Sequence, residues 1–176
     1  AAQRIGITIM RALVAFALLV LSAPARAEPP KTAIFDFELL DTSLEGEMRG
    51  PQADERDRLI RISDLVRRQL AESGKFQLLD IAPVKAAAEA SNLQACGGCD
   101  VQLAQRIGAD LAITGVMRKI STLILNLTIF VRDAHTGRLL TAMNADFRGN
   151  TDESWTRATS YLVRNRLLAP NYGRPQ

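Results

Sequence analysis

From residue 31 onward, apolar and polar positions resolve into alternating strand and helix signals. Thr32-Ala33-Ile34-Phe35-Asp36-Phe37-Glu38-Leu39-Leu40 predicts a first strand, apolar early and acidic later. Leu59, Ile62, Val66 and Leu70 recur at helical spacing, Leu65 widens the stripe and Ser73-Gly74 ends it, predicting a helix over 57–73. Phe76-Gln77-Leu78-Leu79-Asp80 reads as a short strand, and Pro83, which needs no N–H in a first turn, opens an Ala-rich helix over 82–91. Asp100 is placed to cap a short helix over 101–107, which Gly108 stops. Strands are expected at 111–117, 123–132 and 139–147, the last alternating strictly through Leu139, Thr141, Met143, Ala145 and Phe147 with one wet face. Asp133-Ala134-His135-Thr136-Gly137 has turn chemistry, so the last two strands should form an antiparallel hairpin. Asn150 and Thr151 cap a final helix reaching Leu168, with Glu153 completing a capping box if Asn150 is the cap, and Trp155, Leu162 and Leu167 docking it.

Residues 41–56 stand apart, holding two glycines, one proline and seven charged residues without a sustained apolar period. They read as a long loop, and loops of this length commonly carry function. The whole pattern predicts a single-domain α/β (α+β) sandwich, with a mixed five-stranded sheet and helices packed on it, its core at 31–168.

The first 27 residues have a different character. Met10-Arg11, the apolar run Ala12 to Leu21 and Ala25-Arg26-Ala27 form the three regions of an export signal, cleaved after Ala27, with Met10 as the initiator and residues 1–9 upstream of it. The run is too short to span a bilayer, and Glu28 in place of cysteine after the cut excludes lipid attachment. A periplasmic address without a membrane span is therefore expected for residues 28–176. Removing Arg4, Arg11 and Arg26 turns the formal charge of +3 into nineteen basic against nineteen acidic residues. That neutrality gives no support to nucleic-acid binding.

Candidate chemistry is sparse. Cys96-Gly97-Gly98-Cys99 holds both cysteines of the chain, and two cysteines in an exported protein normally end as a disulfide. A thioredoxin-like dithiol is the enzymatic alternative; zinc would need ligands beyond these two and the sole histidine, His135. Serine-hydrolase, phosphate-loop and dinucleotide signatures are missing from the sequence, so neither catalysis nor a cofactor is expected. Asp36 and Glu38 share a strand face at spacing two, and with Asp80 they could hold a hard cation at the carboxyl end of strand one. The competing reading has these acids capping helices or pairing with Arg56, Arg58 and Lys75. A protein-partner surface is expected on 41–56 and 148–155, with Asp41, Leu44, Glu45, Glu47, Arg49, Arg148, Asp152 and Trp155 as its candidates.

Four segments in order, Thr32 to Phe37, Ser73 to Asp80, Ile107 to Gly115 and Asp133 to Arg138, resemble a known group of bacterial envelope domains. The group comprises the amino-terminal part of TolB, the curli secretion protein CsgG and the penicillin-binding-protein activator LpoB. Phe37 to Gly46, Cys96 to Cys99 and Arg148 to Trp155 resemble, further, one secreted proteobacterial family of unknown function within it. The resemblance covers roughly residues 31–168. It implies a non-catalytic envelope module that works by contacting other proteins, here without the lipidated cysteine of CsgG and LpoB, the pore hairpins of CsgG or the propeller of TolB.

Overall fold

A computed structural model describes residues 28–169. The expected leader, its cleavage site and residues 1–9 lie outside the described residues. The strands are β1 (Lys31–Ile34), β2 (Glu38–Asp41), β3 (Gln77–Leu78), β4 (Leu111–Lys119), β5 (Ile124–Asp133) and β6 (Leu139–Arg148). The helices are α1 (Leu44–Arg49), α2 (Ala53–Ser73), α3 (Ala82–Glu89), α4 (Cys99–Arg106) and α5 (Asp152–Leu162), the last continued by a π-helical turn, Val163–Leu167.

The sheet runs β3-β1-β4-β5-β6, with β2 also pairing β4. Strands β1 and β3, β1 and β4, and β2 and β4 are parallel; β4-β5 and β5-β6 are antiparallel, as the turn chemistry at 133–137 predicts. Alternation along β4 divides the interior into two layers. Leu111, Ile113 and Met117 face α2 and α5, where Ile62, Val66, Leu70, Trp155 and Leu162 complete the larger core. Ala112 faces the other way, with Ala33 and Phe35, against Val84, Ala88, Leu103 and Ala104 of α3 and α4.

The mixed α/β sandwich stands as expected, but among the described residues the sheet has six strands, because the first expected strand is two. Ile34 pairs with Ile113 and Glu38 with Val116, so four steps on one chain oppose three on the other. This bulge takes Asp36 and Phe37 off the ladder. The Phe37 N–H bonds to Ser63 Oγ at 2.9 Å instead, and its ring lies against Gly115, where an added Cβ would sit 2.6 Å from ring atoms. Residues 41–56 are not one loop: α1 occupies 44–49, and α2 begins at Ala53, one turn before its apolar stripe, with acids in that turn. Thr151 caps α5 as expected, accepting from the Ser154 N–H, so the cap is not Asn150; the cap expected of Asp100 does move, because Gly98 precedes α4 and leaves Asp100 inside the helix, paired with Arg132 at 3.1 Å.

Candidate functional site

Lys119 closes β4 on the core-facing side of its alternation and has no exposed surface. An ammonium there needs all three of its N–H donors satisfied. Its Nζ lies 2.6 Å from Glu55 Oε1, 3.0 Å from Glu45 Oε2 and 3.2 Å from Asp41 Oδ2. Burial opposes the charge, but hydrogen bonds to Glu55, Glu45 and Asp41 outweigh it and raise the Lys119 pKa above its ordinary value. For Asp41, burial pushes upward, yet bonds from Ser43 and Lys119 hold the carboxyl below the ordinary carboxylate value.

From Glu55 the network crosses the fold. Glu55 Oε1 also accepts from Asn150 Nδ2 at 2.6 Å, and Asn150 Oδ1 accepts from Trp155 Nε1 at 2.9 Å and Arg58 Nη1 at 3.3 Å. Arg58 pairs with Asp54 and Asp152, each at 2.7 Å, and its guanidinium lies 6.0 Å from the Trp155 ring centroid. The segments 41–56 and 148–155 are thus joined through Glu55 and Asn150, with Lys119 tying Glu55 to Asp41 and Glu45. Glu55 Oε2 is buried and has no hydrogen-bond partner among the described residues.

This network sets the orientation of α1. Ser43 caps the helix through the Gly46 N–H at 3.0 Å, and Asp41 Oδ1 accepts from both the N–H and the hydroxyl of Ser43. The Asp41 carboxylate lies where a Cβ on residue 46 would fall, which explains a glycine inside a helix. With Asp41 and Glu45 turned toward Lys119, α1 buries none of its own residues, and Leu44 and Met48 are left 70% and 77% exposed. Spaced four apart, they share one helix face. Thr42 bonds to the Lys119 carbonyl through its N–H and hydroxyl, which sets α1 at the end of the sheet where Ile120, Leu123 and Ile124 are also exposed.

The expected surface residues therefore divide. Leu44, Glu47, Arg49, Arg148 and Asp152 are exposed, whereas Asp41 and Glu45 turn to Lys119. Trp155 is fully buried and cannot present a surface: its ring belongs to the core and its N–H to Asn150. Lys119, Glu55, Asn150 and Met48 were not legible as members of this site. The one available signal was a lysine on the apolar side of the alternation Leu111, Ile113, Met117.

The other candidates separate. Cys96 and Cys99 form a disulfide between α3 and α4, with Gly97 and Gly98 at φ of 69° and 109°, a region that side chains with a Cβ rarely enter. The Cys96 sulfur accepts from the Cys99 N–H at 3.3 Å, and Cys99 packs against the smaller core. Asp36 and Glu38 line a cavity of about 210 Å³ with Lys85 and Glu89, brought there by the bulge and not by strand alternation. Burial pushes the Asp36 carboxyl upward, but Arg67 at 2.5 Å and Lys85 at 3.3 Å more than offset it and hold the carboxyl below its ordinary value. Burial pushes Glu38 above its own, against backbone bonds from Leu93 and Gln94. Asp80 is spent on the Ala82 N–H at 2.9 Å. The three acids are thus not a ligand set, and no metal-holding cluster of His, Cys, Asp or Glu occurs among the described residues. Asp36 pairs as the competing reading had it, but with Arg67 and Lys85 in place of Arg56, Arg58 and Lys75; Asp80 accepts from the first N–H of α3, and Glu38 accepts from the Leu93 N–H at 2.8 Å. His135 sits in the β5-β6 turn, exposed, its Nε2 3.0 Å from Asp110 Oδ1.

A family model described as DUF3280, Protein of unknown function (DUF2380), matches residues 30–167. No curated protein matches the sequence. Among solved structures, the chain is similar to the LpoB C-terminal domain from Salmonella enterica, at 14% identity and a TM-score of 0.50, covering 72% of this chain and 87% of that one. It is similar also to lipoprotein GNA1162 from Neisseria meningitidis, at 16% identity and a TM-score of 0.50, covering 79% and 99%. TolB from Acinetobacter baumannii is matched at 16% identity and a TM-score of 0.39, over 77% of this chain and 28% of that one. The likenesses to the LpoB domain and to GNA1162 are ones of fold. Among the described residues no helix is long and apolar enough to cross a membrane.

Proposed function

We propose, from the premise that the chain belongs to the DUF3280 family, that it is an exported, non-catalytic accessory of the periplasm that acts by contacting another envelope protein. The observation that carries this reading is α1, a helix with no buried residue of its own that presents Leu44 and Met48 to solvent. Two large apolar side chains held outward, at the end of the sheet where Ile120 and Leu123 are also exposed, invite cover by a complementary apolar surface. Rigidity supports the reading, because a contact helix held in place loses little further entropy on binding. The buried Lys119 network supplies that rigidity through Asp41 and Glu45. Glu47 and Arg49 provide a charged rim. The periplasmic address rests on the leader expected in residues 1–27.

The test places a photo-crosslinking residue at Leu44 or Met48, and at Ile60 of α2 as an exposed apolar control, in the native envelope. A single partner adduct is expected from the α1 positions, saturating with expression and lost when the remaining α1 side chain is changed to Glu. The same adducts from the control position, or none from α1, would sink the reading. The Glu variants should keep their melting temperature, since neither side chain contributes to the core.

A further inference from the structure

Strand β6 is, among the described residues, the outer edge of the sheet, ten residues long and paired only with β5. Which of its backbone groups face outward follows from the register. The Gly149 N–H donates to the Leu123 carbonyl at 3.2 Å, and Leu125 opposes Phe147, so Phe147, Ala145 and Met143 exchange their bonds with β5. Ala142, Asn144, Asp146 and Arg148 then point their N–H and C=O away from the sheet. No hydrogen bond to those outward groups occurs among the described residues. Devices that blunt edges are missing: the strand has no proline, its charged side chains point to the open face, and the register irregularity lies at the far end, by Val131 and Arg132.

Charge selects what fits this edge. Asp146 and Arg148 stand two apart on the exposed face with opposite signs, and Asp146 is held there by Asn126 Nδ2 at 2.7 Å. The best antiparallel neighbour carries the same pair in reverse order. β6 itself supplies that order when rotated by a two-fold axis through Phe147. Asp146 then faces Arg148 of the copy, twice, and the half-buried Phe147 meets its equivalent at a position without backbone bonds, where side chains approach closest. Rotation about Asp146 instead sets two carboxylates face to face.

We propose that β6 is a self-recognition edge, pairing antiparallel with β6 of a second copy of this chain about Phe147 to give a two-fold dimer. The ladder is short, formed by the N–H and C=O groups of Asp146 and Arg148 on each copy. The dimer is therefore weak and concentration-dependent.

Sedimentation equilibrium of the purified protein over about a hundredfold concentration range should show a monomer–dimer equilibrium. Asp146→Arg and Arg148→Asp should each weaken it by about tenfold, because each sets like charges opposite, while the double exchange restores it. Monomer at every concentration overturns the proposal, as does a dimer indifferent to the single exchanges or not rescued by the double one. Should an exchange variant fail to fold, hydrogen exchange on the wild type decides the register. The amides of Asp146 and Arg148 should become protected as concentration rises while those of Ala142 and Asn144 do not; the reverse pattern, or none, refutes it.

Discussion

Lys119 is the residue on which most of the local order depends, and its removal should show it. Lys119→Met keeps much of the side-chain volume but leaves Glu55, which is 1% exposed, beside Asp41 and Glu45 with no counter-charge. Breaking one side of such a buried pair costs about 3–5 kcal/mol, and a urea midpoint measurement should find a loss of that size. A Met variant of wild-type stability would mean the carboxylates are solvated. At Gly46 the usual ranking of residues should invert. Alanine gains about 1 kcal/mol over glycine in an ordinary helix interior, but Gly46→Ala drives its methyl into the Asp41 carboxylate, so it should destabilise and loosen α1. Neither residue was legible beforehand as special. A lysine ending a strand reads as solvated, a glycine in a polar stretch reads as loop, and only the approach of Asp41 and Glu55 from other elements changes their meaning. Trp155 had two readings, an anchor docking the last helix and a contact residue among charged neighbours, and the first holds, with Asn150 completing its hydrogen bonding inside the core.

Between elements, the division of the first strand has a definite physical support. Ser63 of α2 satisfies the Phe37 N–H and donates to the Leu59 carbonyl at 2.7 Å, so the bulge leaves no orphaned donor there. Ser63→Ala should cost about 1–3 kcal/mol, the penalty for a buried N–H without a partner, seen as a lower urea midpoint with unchanged slope. The Cys96-Cys99 bridge closes a small ring between α3 and α4 and constrains the unfolded chain only modestly. Changing both cysteines to serine should lower stability by about 2 kcal/mol and leave contacts through α1 unaltered. Helices α2 to α5 and the β5-β6 hairpin were legible because their apolar periods and turn residues are local. The bulge was not, because it is set by Gly115 and Ser63, neither of them in the strand it divides.

For the whole molecule, the carboxylates set the response to acid. Burial works against Asp36 and Asp41, but Arg67, Lys85, Ser43 and Lys119 hold both below their ordinary value; His135 and the Lys31 N–H lower Asp110. A depressed folded pKa contributes stability that is present above the ordinary carboxylate value of about 4 and lost as pH falls through the folded value. Glu38 acts oppositely. Burial raises it, so its contribution is full below its ordinary value and lost as pH rises through the folded one. Stability measured from neutral to acid pH should therefore rise slightly and then fall, and Glu38→Gln should remove the rise while leaving the fall. A monotonic wild-type curve would contradict the assignment. What the sequence determined by itself is the mixed sheet with helices packed on it, the order of the elements apart from α1 and the division of the first strand, the hairpin and the pairing of its only two cysteines, because apolar period and turn chemistry act over a few residues. What only the tertiary structure decided is that 44–49 folds into a helix, that Lys119 and Glu55 tie it to 148–155 and that Leu44 and Met48 face outward. Those facts depend on groups tens of residues apart meeting in a site sheltered from water, where an unpaired charge is costly and each partner's position is set by the others.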